Sequence, residues 1–123
     1  MNNRILVAED DPDNRRIVQK ALEHDGYEVT AVGDGLSLLD ECRRLHPDVL
    51  VLDLELPRLD GYEAVRRLRA ISGFERMPVI AVTGNARRGD EERARRLGCD
   101  DYLTKPCRPG LIREKVRYWI AGL

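Results

Sequence analysis

The sequence predicts an α/β fold: one domain over residues 1–123, built on a parallel sheet covered on both faces. Three observations predict it. Short, continuously apolar runs recur along the chain, without the polar alternation of a half-exposed sheet. Amphipathic stretches of helical period separate them. The apolar runs also end on a recurring set of polar residues: acids, a threonine and a lysine.

Residues 5–8 form the first strand. Residues 13–23 follow as a helix with Ile17, Val18, Ala21 and Leu22 on its apolar face, and Gly26 ends it. Residues 27–32 read as the second strand and 33–35 as a turn. Leu36, Leu38, Leu39, Cys42 and Leu45 mark a second helix, stopped at His46-Pro47. Residues 49–52 are a third strand, apolar on every side. A loop over 54–60 leads to a third helix over 61–71, with Val65, Leu68 and Ile71 inward. After a loop over 73–77 comes a fourth strand, 78–83. Residues 87–97 are helical but almost wholly charged, with Ala94 and Leu97 facing inward and Gly98 as the stop. Residues 101–104 are the fifth strand, and 108–121 the last helix, with Leu111, Ile112, Val116, Trp119 and Ile120 at helical spacing.

Strands joined by helical crossovers of right-handed sense leave few topologies. The expected one is the doubly wound, flavodoxin-like (βα)5 arrangement in the order 2-1-3-4-5.

Bulk composition excludes several functions. The net charge of -1 points to neither a nucleic-acid surface nor an acidic tail. The arginines of the charged helix are interleaved with acids, so direct DNA binding is not expected. No segment is long and apolar enough for a membrane span, no leader pattern opens the chain, and the expected compartment is the cytoplasm. Cys42, Cys99 and Cys107 are odd in number and lack a Cys-x-x-Cys pair, so they read as free thiols. His24 and His46 read as surface or loop residues.

The chemistry gathers at the strand ends. Strand one runs into Glu9-Asp10-Asp11, strand three into Asp53, strand four ends on Thr83, and strand five runs into Lys105-Pro106. In open parallel sheets ligands sit outside the carboxyl ends of the strands, at the switch point, which in this order lies between strands one and three. Asp10 and Asp53 would face each other there, flanked by Thr83 and Lys105. Clustered carboxylates repel unless a cation intervenes. Magnesium needs only one or two of them, plus water and phosphate oxygens. A lysine and a threonine hydroxyl can each meet a phosphate oxygen. The set suits in-line phosphoryl transfer onto a carboxylate nucleophile. Taken singly, each residue has a plainer role; Asp11 or Asp13, for example, suits a helix N-cap.

These residues resemble the receiver domain of bacterial two-component response regulators. The resemblance rests on Ile5-Leu-Val-Ala-Glu-Asp-Asp11, on Asp53 within Val-Leu-Asp-Leu-Glu-Leu-Pro57, on Leu59-Asp-Gly61, on Val82-Thr-Gly84 and on Tyr102-Leu-Thr-Lys-Pro106. It implies a stand-alone receiver: a phosphoacceptor rather than an enzyme, assisting its own phosphorylation and dephosphorylation. The donor would be a phosphohistidine on a sensor histidine kinase or a histidine phosphotransfer protein. Magnesium, with manganese as a substitute, would be held by Asp10, Asp53 and the main-chain carbonyl of Glu55, with Glu9 assisting through water. Thr83 and Lys105 would contact the phosphoryl group, Thr83 and Tyr102 would form the switch, and the Lys105-Pro106 peptide would be cis. The output would pass to a separate, unidentified protein through the fourth helix, fifth strand and fifth helix. Glu9 in place of Asp, Gly84 in place of Ala and Cys107 in place of a large apolar residue depart from the family pattern. Glu55 and Asn85 occupy positions that tune phosphate lifetime in the family.

Two rival readings fit less well. A phosphohydrolase with an aspartate nucleophile would carry Asp-x-Asp-x-Thr after the first strand, which is absent. A flavodoxin-like cofactor protein would need a hydroxyl- or glycine-rich phosphate loop, where Asp10-Asp-Pro-Asp13 would repel a phosphate.

Overall fold

The computed structural model describes residues 2–123. Its elements alternate in chain order: β1 (Arg4–Ala8), α1 (Pro12–His24), β2 (Glu28–Val32), α2 (Gly35–Leu45), β3 (Val49–Asp53), α3 (Gly61–Arg69), β4 (Val79–Thr83), α4 (Asp90–Leu97), β5 (Asp101–Thr104) and α5 (Pro109–Ala121). The strands form one parallel sheet in the order β2-β1-β3-β4-β5, as expected. No described helix is long and apolar enough to cross a membrane.

Strand alternation sorts the core into two layers. Leu6, Ala8, Leu50, Leu52, Val79 and Ala81 pack against α2, α3 and α4 through Leu38, Leu39, Val65, Leu68 and Ala94. Ile5, Val7, Val49, Val51, Ile80, Val82 and Leu103 pack against α1 and α5 through Leu22, Ile112 and Val116. Every residue of β3 and β4 is buried, which explains why these strands read as unbroken apolar runs.

Local chemistry sets the helix ends. Asp11, not Asp13, caps α1 by accepting from the Asp13 amide at 3.0 Å. Asp34 caps α2 through the Ser37 amide, so α2 begins at Gly35, inside the expected turn. A Cβ on Gly35 would come within 2.0 Å of the Leu59 carbonyl oxygen, and one on Gly61 within 2.6 Å of the Leu54 Cα, so both positions need glycine. His46 closes α2 in the left-handed region at φ 48 and stacks on Phe74.

The charged helix is shorter than expected. Gly89, at φ 90, is its left-handed N-cap and makes no side-chain capping bond, so Arg87 and Arg88 lie outside it. On it, Glu91 and Arg95 form an i,i+4 ion pair at 3.1 Å. Its other end is tied down: Arg69 of α3 donates to the Gly98 carbonyl and to Asp100, whose carboxylate also accepts from the Val79 amide. Helix α3 stops at Arg69, and Ile71 lies only half-buried in the loop beyond.

Three residues read as core prove exposed. Ile17 is 51% exposed, and Leu36 and Leu111 are each 39% exposed. They sit at the margins of their apolar stripes, where helical period no longer distinguishes the inward face from the flank. Cys42 and Cys99 are buried and Cys107 half-buried, all as free thiols.

Candidate functional site

Charged side chains are rarely buried unless paired. Among the described residues, the buried polar and charged side chains are Glu9, Asp53 and Thr83, at 6%, 4% and 3% exposure, and all three lie at the carboxyl edge of the sheet. Glu9 follows β1, Asp53 ends β3 and Thr83 ends β4. The sequence pattern thus placed polar groups where the fold buries them.

Alternation decides which way each one faces. Asp53 is in phase with Val49 and Val51, and Lys105 with Leu103, so both belong to the α1/α5 side. There they line a cleft of about 470 Å³ with Glu9, Ile17, Val18, Cys107 and Ile112. Thr83 is in phase with Ala81, and Ala81 pairs with Tyr102 in the β4–β5 register. Thr83 and Tyr102 therefore share the opposite face, toward α3 and α4.

The Lys105 ammonium joins the buried acids. Its Nζ donates to Oε1 of Glu9 at 2.7 Å and to Oδ2 of Asp53 at 2.8 Å. Burial by itself would lower the Lys105 pKa; the hydrogen bonds to Asp53 and Glu9 outweigh it and hold the ammonium above the ordinary lysine value. The other Asp53 oxygen, Oδ1, accepts from the Glu55 amide at 2.8 Å, and the second Glu9 oxygen accepts from the Asp11 amide at 3.1 Å. Asp10 is exposed, yet one carboxylate oxygen from each of Glu9, Asp10 and Asp53 lies within 4.8 Å of the others.

That donor set fits a small, hard cation. Magnesium at 2.0–2.1 Å from octahedral oxygens spans about 4 Å between opposite ligands, and it is commonly held by one or two carboxylates with water completing the shell. Three carboxylates with one ammonium leave a net negative site able to attract it.

The loops beside the acids are held together by polar contacts. Glu55 Oε1 accepts from the Gly84 amide at 3.2 Å, and Thr83 Oγ1 accepts from the Asn85 amide at 3.2 Å. The Lys105 amide donates to the Thr83 carbonyl, and the Lys105-Pro106 peptide is cis. The Tyr102 hydroxyl is buried with no hydrogen-bond partner among the described residues. Burial pushes its pKa up, and the nearby Asp90 and Glu91 carboxylates add to the effect. Arg15, which the sequence did not single out, donates to the Glu9 carbonyl. Its side chain folds back on the main chain of a preceding loop, a contact that leaves no periodic or motif signature.

The acidic, cation-attracting cleft thus lies at the switch point of a doubly wound sheet. The family described as the response regulator receiver domain matches residues 5–117, and the chain belongs to that family. It is 38% identical over 120 residues to the polar-differentiation response regulator DivK of Brucella ovis, an alignment covering 98% of each chain. Among solved structures, it is similar to the receiver domain of the sensor histidine kinase PA1611 from Pseudomonas aeruginosa PAO1, which has a magnesium ion coordinated in its active-site cleft. The identity is 37%, the TM-score 0.89, and the match covers 98% of this chain and 99% of that one. The chemotaxis response regulator CheY4 of Vibrio cholerae shares the fold, with a TM-score of 0.90 at 24% identity over 97% of this chain and 99% of that one.

Proposed function

We propose that the chain accepts a phosphoryl group on the Asp53 carboxylate from a phosphohistidine of a sensor histidine kinase or histidine phosphotransfer protein. The observation that carries this reading is the Lys105 ammonium held between buried Glu9 and Asp53, with the Asp10 carboxylate alongside. A carboxylate oxygen of Asp53 attacks the phosphorus, the phosphorus–nitrogen bond breaks, and its electron pair stays on the departing imidazole. The product is an acyl phosphate. Glu9, Asp10, Asp53 and the main-chain carbonyl of Glu55 would hold magnesium, or manganese in its place, whose chemistry is to neutralise charge on the transferring phosphoryl oxygens.

The chain's own groups do the rest. The Glu55 amide and the Lys105 ammonium orient the Asp53 carboxylate by binding its two oxygens. Once the phosphoryl group is in place, Lys105 is positioned to pair with its oxygens, and Thr83 supplies a hydroxyl from the neighbouring strand end. Phosphorylation would thus draw Thr83 inward and open space for Tyr102, whose hydroxyl lacks a partner. The signal would leave through the α4–β5–α5 surface to a downstream protein. These same groups make the domain a participant in its own phosphorylation and hydrolysis. A cytoplasmic setting is in keeping with three free thiols.

Incubation with acetyl phosphate and magnesium should add the mass of one phosphoryl group to the intact protein, and Asp53→Asn should add none. An Asp53→Asn variant that still gains that mass would refute the assignment.

A further inference from the structure

Beyond Ala8 the chain leaves the sheet, and only Glu9 and Asp10 separate β1 from the Asp11 cap of α1. Asp10 is exposed, so packing does not place its carboxylate. Arg15, one turn into α1, does reach this backbone. Its Nη1 donates to the Glu9 carbonyl at 3.0 Å and lies 3.5 Å from the Asp10 carbonyl. Both acceptors are main-chain oxygens, so the guanidinium grips the backbone of the acidic pair without bonding its carboxylates.

A third element makes room for it. The Glu9 amide donates to the Val32 carbonyl at 3.0 Å, bringing the end of β2 alongside. The next residue is Gly33, where a Cβ would lie 2.7 Å from Arg15 Nη1 and 3.9 Å from the Glu9 carbonyl oxygen. The slot for the guanidinium exists because position 33 has no side chain.

We propose that Arg15, seated against Gly33, is a positioning residue for the divalent-cation site: it pins the Glu9 and Asp10 backbone so that their carboxylates converge with Asp53. The inference rests on the reading of Glu9, Asp10 and Asp53 as the cation's ligands. Ordering two carboxylates at the moment of binding costs conformational entropy; a backbone already held meets that cost beforehand. Groups that orient metal ligands from behind are commonly worth 10–100-fold in affinity.

Isothermal titration of magnesium into the wild-type protein, Arg15→Ala, Arg15→Lys and Gly33→Ala tests it, with thermal unfolding of each in chelator as a control. Arg15→Ala and Gly33→Ala should each raise the magnesium Kd by about ten-fold or more, with little change in unfolding temperature. Arg15→Lys, which keeps a donor able to reach one carbonyl, should recover part of the loss. A wild-type Kd in Arg15→Ala, even with lowered stability, overturns the proposal and leaves the arginine a purely structural role. Should Arg15→Ala fail to fold, Gly33→Ala decides by the same criterion, since there the arginine remains but is displaced. Absence of magnesium binding by the wild-type protein would instead remove the ligand reading on which the inference stands.

Discussion

Asp25, the C-cap of α1, and Arg113 of α5 form a two-pronged ion pair, with Nε 2.9 Å from Oδ2 and Nη2 2.6 Å from Oδ1. It joins the two helices that cover one face of the sheet. The hydrogen bond from Arg113 holds the Asp25 carboxyl below its usual value, against the opposing effect of burial. A depressed folded pKa contributes stability that is present above the unfolded carboxylate value and lost as pH falls through the folded one. Arg113→Ala should therefore lower stability near neutral pH. The gap between variant and wild type in urea unfolding should close below about pH 4. A gap that widens in acid would show that the pair is not its source.

Removing Lys105 leaves Glu9 and Asp53 facing each other without their shared cation. Breaking a buried pair in this way typically costs about 3 kcal/mol or more. Lys105→Met should be destabilised in chelator, and magnesium should raise its unfolding temperature by more than it raises that of the wild type, because a ligand that binds only the folded state stabilises it by mass action. Equal magnesium shifts in the two proteins would argue that Lys105 and the cation do not share the same carboxylates.

Glycines in the loops beyond the strand ends and at the starts of helices differ in what they tolerate. At Gly35 and Gly61 a methyl group would run into backbone atoms of residues 59 and 54, at 2.0 Å and 2.6 Å, so alanine at either position should cost at least about 3 kcal/mol or prevent folding. At Gly84 the nearest atom is Glu55 Oε1 at 3.5 Å, an ordinary contact, so Gly84→Ala should change unfolding free energy by less than about 0.5 kcal/mol. Denaturant titration of the three variants separates these cases.

The Tyr102 hydroxyl is buried without a partner, and burying such a group is unfavourable by about 1–3 kcal/mol. Tyr102→Phe should thus raise the urea midpoint of the unphosphorylated protein. A lowered midpoint would mean that the hydroxyl is satisfied in solution.

The layered architecture was legible because β1, β3 and β4 are buried on both faces, and such strands leave unbroken apolar runs in the chain. The acids and the lysine of the cleft were legible for a related reason: strand ends in a parallel sheet converge, so Asp10, Asp53, Thr83 and Lys105 could be brought together without knowing a single contact, although it is Glu9 and not Asp10 that lies buried against Lys105. What escaped was long-range polar pairing. Nothing in the spacing of Arg69, Arg113 or Arg15 distinguishes an arginine that grips Asp100, Asp25 or a loop carbonyl from one that faces water. Helix α4 was drawn too long for a local reason: the charges of Arg87 and Arg88 suit a helix, but Gly89 adopts a left-handed conformation that starts it later. Ile17 misled in the opposite sense, as an apolar residue in helical phase that lies over the cleft rather than in the core.

The alternation of the strands has one more consequence. Asp53 and Lys105 open toward α1 and α5, whereas Thr83 and Tyr102 lie across the sheet toward α3 and α4. The sheet is a partition one backbone thick between these two pairs. On the proposed reading, a donor entering the cleft beside α5 and a reader of the α4–β5–α5 surface would both touch α5, so the two visitors would take turns on the domain.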